Sequence, residues 1–158
     1  MSRATADLYD EYGDKLQVPI PMFNNYGGKK AFSGVISTVK CHEDNSYVRS
    51  TLEQPGVGKV LVVDGGGSLR CALLGDMLAE LGIKNGWTGI IVYGCIRDSA
   101  MIRKMGIGVK GLNTNPKKSL KKGIGERDVP VTFAGVNFIP GYFLYADEDG
   151  FVVSDKEL

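Results

Sequence analysis

The sequence predicts an α/β sandwich folded as one domain over residues 1–158, and three observations lead there. Two runs, "KVLVVDGGG" and "WTGIIVYGCI", are apolar and of strand length, as strands buried on both faces are. Between them "RCALLGDMLAELGIKNG" repeats apolar residues at Leu74, Leu78 and Leu81, a helical period, so the three segments read as a β-α-β unit. The last third differs in kind: "VTFAGVNF", "YFLYAD" and "GFVVSD" are strands separated by Pro-Gly and Asp-Gly turns. Helices in front and strands behind make a sandwich. With 158 residues, no repeat and no linker, there is one core rather than two.

Taken in order, Thr5 can cap a short helix to about Gly13 whose apolar face is Leu8, Tyr9 and Tyr12. "QVPIPMFNNYGGKK", rich in Pro, Gly and Asn, reads as an irregular crossing loop. β-branched residues give "AFSGVISTVKC" strand character. "NSYVRSTLEQPG" is a helix from about Asn45 that stops before Pro55, because a proline pushes the residue ahead of it out of the helical region. "DGGG" at Asp64 to Gly67 is a tight turn after its strand; no G-K-[ST] follows, so it is no phosphate loop. The central helix closes at Gly82 or Gly86. Beyond the second buried strand, "SAMIRKMG" is a helical turn, "IGVKGL" a strand, and "NTNPKKSLKKGIGERD" a polar, basic, solvated loop.

Composition narrows the function. A net charge of +1 gives no global attraction to nucleic acid or an anionic membrane. Lys117, Lys118, Lys121 and Lys122 offer a contact for RNA or an acidic protein surface, but a solvated loop is the commoner meaning of such a run and no aromatic residue is interleaved for base stacking; neither DNA nor membrane is an expected partner. Cys41, Cys71 and Cys95 are odd in number and lack C-x-x-C spacing, which argues against disulfides and for a reducing, cytoplasmic setting. The first residues contain no apolar leader, and no stretch approaches a membrane span. His42 is the lone histidine, which excludes a histidine-rich zinc site, and Cys95 reads as a small buried hydrophobe.

The candidate chemistry lies at the ends of "GDMLAELGIKNGWTGIIVYGCIRD". In open α/β sheets ligands collect beyond the carboxyl ends of strands, where Arg97 and Asp98 fall. Asp98 can bind a hard cation such as magnesium, and Arg97 offers a planar fork for a carboxylate. Gly75-Asp76-Met77-Leu78 opens a helix, whose free N–H groups seat anions; Asp76 is read as the helix cap, as a group that orients water or relays a proton, or as both.

"VLVVDGGGSLRCALLGDMLAELGIKNGWTGIIVYGCIRD", "GIGERDVPVTFAGVNFIPGYFLYADEDGFVV" and "DLYDEYGD" resemble the regulator of ribonuclease activity A family over nearly the whole chain. That family contains metal-dependent 4-hydroxy-4-methyl-2-oxoglutarate aldolases, marked by Asp, twenty residues, then Arg-Asp; Asp76, Arg97 and Asp98 match in full. Some members known as ribonuclease regulators lack the final acid. The resemblance implies a β/β/α sandwich of the swivelling-domain, RraA-like type and a ring-shaped homotrimer with sites between protomers. It further implies that Gly75, Asp76, Met77 and Leu78 bind the pyruvyl end of a small 2-oxo acid, that Arg97 grips its carboxylate, and that Asp98 holds Mg2+ or Mn2+. On this reading the protein is a lyase that cleaves 4-hydroxy-4-methyl-2-oxoglutarate to pyruvate and decarboxylates oxaloacetate, with Arg97 and Asp76 catalytic. The alternative is a non-catalytic regulator that binds a ribonuclease or its attached helicase.

Overall fold

Val60, Leu61, Val62 and Val63 are consecutive and all fully buried. Neighbouring strand residues point to opposite faces, so such a strand needs cover on both. The computed structural model, which describes residues 3–158, supplies it. The first half of the chain runs α1 (Thr5–Tyr12), a 3-10 turn (Gly13–Lys15), β1 (Asn24–Asn25), β2 (Phe32–Lys40), α2 (Ser46–Leu52), β3 (Lys59–Asp64), β4 (Ala72–Leu74), α3 (Asp76–Lys84) and β5 (Gly89–Ile96). The second half runs α4 (Ser99–Ile102), β6 (Gly108–Thr114), β7 (Glu126–Arg127), β8 (Val131–Phe133), β9 (Val136–Phe138), β10 (Phe143–Asp147) and β11 (Gly150–Ser154).

Strands β6, β5, β3 and β2 lie side by side and parallel at the centre of one mixed sheet. β1 runs antiparallel outside β6, and β10 and β11 extend the other side antiparallel. Short β4 pairs with β5 and β7 with β2. One face of the sheet is helical: Leu61 and Val63 pack with Val48 and Leu52 of α2, Leu78 and Ala79 of α3, and Ile102 of α4. The other face is a β layer: Val60 and Val62 pack with Phe133, Val136 and Phe138 of the β8–β9 hairpin. Helices, sheet and hairpin form the expected β/β/α sandwich. Phe32 presses flat on Gly89 and Gly108, register partners on β5 and β6, and a Cβ at either would overlap its ring. Among the described residues no helix is long and apolar enough to cross a membrane.

Several local expectations are corrected. Leu74 belongs to β4, not to the central helix, which begins only at Asp76; extended Gly75 separates the two. Thr5 is the first helical residue of α1 rather than its cap. Its N–H and hydroxyl both donate to the Asp147 carboxylate at 2.8 Å, so the cap comes from the end of β10. Tyr9 is 44% exposed, leaving Leu8 as the buried residue of that helix's apolar face. "VTFAGVNF" is a hairpin and not one strand, because Ala134 (φ 53°) and Gly135 (φ 75°) make a two-residue turn of the positive-φ kind. The crossing segment contributes β1 and a bridge from Gln17 to Val153, and the last parallel strand continues to Thr114.

The basic loop is solvated as expected, with Lys117, Lys118, Lys121 and Lys122 all exposed, and its backbone is fastened to the fold. Asp44, buried before α2, accepts hydrogen bonds from the N–H groups of Lys122 (2.7 Å) and Ile124 (3.4 Å). Leu120 and Lys117 bond backbone to backbone with Glu43 and Ala72 (both 2.8 Å). Burial pushes the Asp44 carboxyl up, but the Ser46 hydroxyl and the N–H groups of Ser46, Lys122 and Ile124 outweigh it and hold it below the usual range.

Candidate active site

β4 is only three residues long, yet it fixes the site. Leu74 lies opposite Ile96 in a parallel pair, and the N–H of Arg97 donates to the Leu74 carbonyl at 2.8 Å. The residues that follow each strand therefore meet. Gly75-Asp76 leads into α3 on one side, and Arg97-Asp98 leads into α4 on the other. Two segments twenty residues apart in sequence share one strand-end edge of the sheet.

Asp98 adopts the left-handed conformation (φ 59°, ψ 38°), which aspartate tolerates better than most residues. That twist turns its carboxylate back toward α3, where Oδ2 accepts the N–H of Asp76 at 3.1 Å. Asp98 is thus the cap of α3 from across the sheet. Asp76 is the first helical residue, follows the N-cap Gly75, and makes no side-chain cap. The reading of Asp76 as cap is overturned. Its carboxylate is left for other work. The next N–H groups, those of Met77 and Leu78, fall in the first turn, where no intrahelical carbonyl can reach them. The side chain of Met77 is exposed, whereas that of Leu78 is buried in the helical core, so Leu78 can offer only its backbone.

Gly75 is constrained by contact rather than conformation. A Cβ there would stand 2.8 Å from Asp98 Oδ2 and 3.4 Å from both Cγ and Nε of Arg97. Arg97 donates weakly to the Pro116 carbonyl (3.4 Å), and among the described residues no carboxylate pairs with it. Its guanidinium is held in place with its recognition capacity unspent.

A cleft of about 270 Å³ opens over this edge. Gly75, Asp76, Met77, Leu78, Arg97 and Asp98 all line it, so every residue expected at the site is brought together. The cleft also takes in Arg49 from α2 and Lys118, Ser119 and Lys121 from the fastened loop. Sequence reasoning missed these four. Lys118 and Lys121 stood in a visible basic run, but nothing local shows that Asp44 turns it over the cleft.

The donor set fits a hard cation. Asp76 and Asp98 bring carboxylate oxygens, and no Cys or His lines the cleft. Among the described residues no cluster of three His, Cys, Asp or Glu side chains forms a closed metal cage. Magnesium, content with one or two carboxylates and several waters, suits such an open site.

Other features compete poorly. A larger cleft of about 460 Å³ beside α1 is mostly apolar, and its lysine, Lys110, is already bonded to Asn25 Oδ1 (2.6 Å) and the Asp147 carbonyl (2.7 Å). Glu43 is drawn down to about 2 by hydrogen bonds from Arg70 and Ser68, both to Oε2, but it is paired with Arg70 and lies outside both clefts. A perturbed acid of that kind is a structural ion pair. Cys95 is buried in β5, as expected.

Over its whole length the chain is similar to several known proteins. The family model described as "RraA-like: Aldolase/RraA" matches residues 5–153. A protein of Alkalilimnicola ehrlichii named "Putative 4-hydroxy-4-methyl-2-oxoglutarate aldolase" is 60% identical over 158 residues, 100% of this chain and 98% of its own. A solved structure from Geobacillus kaustophilus, described as an S-adenosylmethionine: 2-dimethylmenaquinone methyltransferase, superposes with a TM-score of 0.97 at 53% identity, over 99% of this chain and 97% of that one. The RNA-processing inhibitor RraA from Thermus superposes at 0.96 with 44% identity, over 100% and 96%.

Proposed function

The chain belongs to the RraA-like family, and on that premise we propose that it is a divalent-metal-dependent lyase that cleaves 4-hydroxy-4-methyl-2-oxoglutarate to pyruvate and also decarboxylates oxaloacetate. The observation that carries the reading is the meeting of Gly75-Asp76 with Arg97-Asp98 in one cleft. The name borne by the relative 60% identical supports an aldolase. The metal and the second reaction rest on the donor set.

Asp98 would hold the cation, with Asp76 close by. A hard divalent ion there would draw electron density from the 2-keto oxygen of the substrate. Arg97 would grip the adjacent carboxylate through its fork, and the N–H groups of Met77 and Leu78 would face the pyruvyl oxygens, where negative charge develops. In the aldol cleavage Asp76, directly or through one water, takes the proton of the C4 hydroxyl. The C3–C4 bond then breaks with its electron pair passing to the pyruvyl fragment, C4 becomes the keto carbon of one pyruvate, and protonation at C3 completes the other. Oxaloacetate loses carbon dioxide by the same electron flow but has no hydroxyl to deprotonate. That reaction needs Arg97 and the helix amides, and not the base.

A homotrimer in the cytoplasm is the family expectation for the assembly. The second reading, a regulator that binds a ribonuclease or helicase, is favoured by the likeness to the Thermus inhibitor. Exchange of pyruvate methyl protons for deuterium, followed by proton NMR with magnesium present, separates the two. A lyase of this kind catalyses the exchange; a pure binding protein leaves the methyl signal intact.

A further inference from the structure

The cleft holds more positive charge than the reaction centre needs. Arg49, Arg97, Lys118 and Lys121 line it against Asp76 and Asp98, four cations and two carboxylates. Among the described residues none of the six takes part in an ion pair. Arg97, at the end of β5, serves the carboxylate beside the reacting keto group. Arg49 stands on a different element, α2, and the lysines on the loop that bridges to Ala72 at the start of β4, so these three cations reach the cleft from elements other than the β5 end that carries Arg97 and Asp98.

Their placement is built. The loop that carries Lys118 and Lys121 is bonded on both sides, through Asp44 to the N–H groups of Lys122 and Ile124 and through bridges from Asp44 to Leu120 and from Ala72 to Lys118. Ser119, between the lysines, also lines the cleft and is 6% exposed, and its Oγ has no hydrogen-bond partner. A buried hydroxyl without a partner is costly and marks a place where a polar group is wanted.

We propose that Arg49, Lys118 and Lys121 form the seat of a second carboxylate, so that the site selects 2-oxo acids carrying a carboxylate at the far end over 2-oxo monoacids. This rests on the lyase reading and deepens it. A monoacid brings one negative charge, which Arg97 meets, and leaves the other three cations facing no anion. A diacid meets both groups. The pairing also fixes which end of the substrate lies at Asp98, because the Arg97 fork stands beside the two carboxylates that would hold the cation, Asp76 and Asp98, at the paired ends of β4 and β5. Arg49 and the two lysines are specificity determinants, since they face the end that is not reacting.

The test uses the full chain with magnesium and two substrates that differ only at the far end. These are 4-hydroxy-4-methyl-2-oxoglutarate and 4-hydroxy-4-methyl-2-oxopentanoate, in which a methyl replaces the distal carboxylate. Arg49→Gln and Lys121→Gln should each lower kcat/KM for the diacid by about 10-fold, mainly through KM, as loss of one charge-assisted contact does. The monoacid should change by less than about 2-fold, and Arg49→Lys should recover part of the diacid loss. Equal losses on both substrates, or no loss on the diacid, would overturn the assignment. If the parent protein cleaves neither compound, the lyase reading has failed and binding decides this one separately. Calorimetry should then show 2-oxoglutarate weakened by Arg49→Gln and 2-oxobutyrate unaffected, and equal affinities of parent and variant for 2-oxoglutarate would overturn it.

Discussion

Replacing Gly75 by alanine isolates the geometry of the site from its chemistry. Gly75 has φ −129° and ψ −171°, extended backbone that any residue adopts, so the substitution introduces no backbone strain. Its whole effect is the added Cβ. That atom would stand 2.8 Å from Asp98 Oδ2 where ordinary contact begins at 3.4 Å, so the carboxylate must withdraw by 0.6 Å. Withdrawal stretches the 3.1 Å bond from the Asp76 N–H, while Arg97, at 3.4 Å, is in ordinary contact with the new atom and stays, so the spacing of Asp98 and Arg97 changes. Losing that bond costs about 1 kcal/mol. A stiffer unfolded chain returns about 0.4–1 kcal/mol. The midpoint of thermal unfolding should therefore move by no more than about 4 °C. Catalysis should suffer far more, because misplacing reacting groups by a fraction of an ångström to 1 Å can cost about 10²-fold. Pyruvate release measured beside a melting curve checks both halves. Unchanged kcat/KM in a folded Gly75→Ala protein would refute the claim that this close approach sets the site.

Three further outcomes are expected. Arg97→Lys keeps the charge but loses the planar fork, and should reduce kcat/KM by at least about 10-fold; wild-type kinetics would make Arg97 structural. Asp76→Asn should slow aldol cleavage by roughly 10²-fold and oxaloacetate decarboxylation much less, with both rates read on one preparation. Equal losses would give Asp76 a duty common to both reactions, and no loss in either would deny it a catalytic one. Asp44 governs acid stability: its folded-state value is lowered, so its contribution is complete above the ordinary carboxylate value and is lost as pH falls below about 4. Melting curves from pH 6 to pH 2 should fall more steeply for the parent than for Asp44→Asn, and parallel curves would contradict the assignment.

What the sequence made legible is what is encoded by neighbours along the chain. The apolar runs of β3 and β5 and the periodic stretch that ends in α3 declare themselves, because burial on two faces and burial on one leave different patterns. The strand-end position of Arg97-Asp98 follows from the same pattern. The caps were not legible. Thr5 and Asp76 satisfy the local rule for a cap, yet both helices take theirs from a distant carboxylate, Asp147 and Asp98 respectively. Leu74 fits the helical period by coincidence of spacing, and only pairing with Ile96 shows that it is a strand residue. Lys118, Ser119 and Lys121 come into the cleft through tertiary bonds of their loop to Asp44, Glu43 and Ala72, and Arg49 through the packing of α2 on the sheet, for which a single sequence carries no sign.

The metal claim is tested most directly at Asp98, and the structure decides which variant to use. Asp98→Ala would remove the α3 cap and place alanine in a left-handed conformation, costs of about 1 kcal/mol each that confuse folding with chemistry. Asparagine tolerates that conformation and keeps an acceptor for the Asp76 N–H, so Asp98→Asn removes only the charge. Pyruvate release from 4-hydroxy-4-methyl-2-oxoglutarate should be measured for the parent protein and Asp98→Asn, each with magnesium and each in excess chelator. The parent should be active with magnesium, silent in chelator and restored by adding the ion back, while Asp98→Asn stays inactive throughout with an unchanged melting temperature. Full activity of the parent in chelator, or of Asp98→Asn with magnesium, would contradict a metal-dependent lyase centred on Asp98.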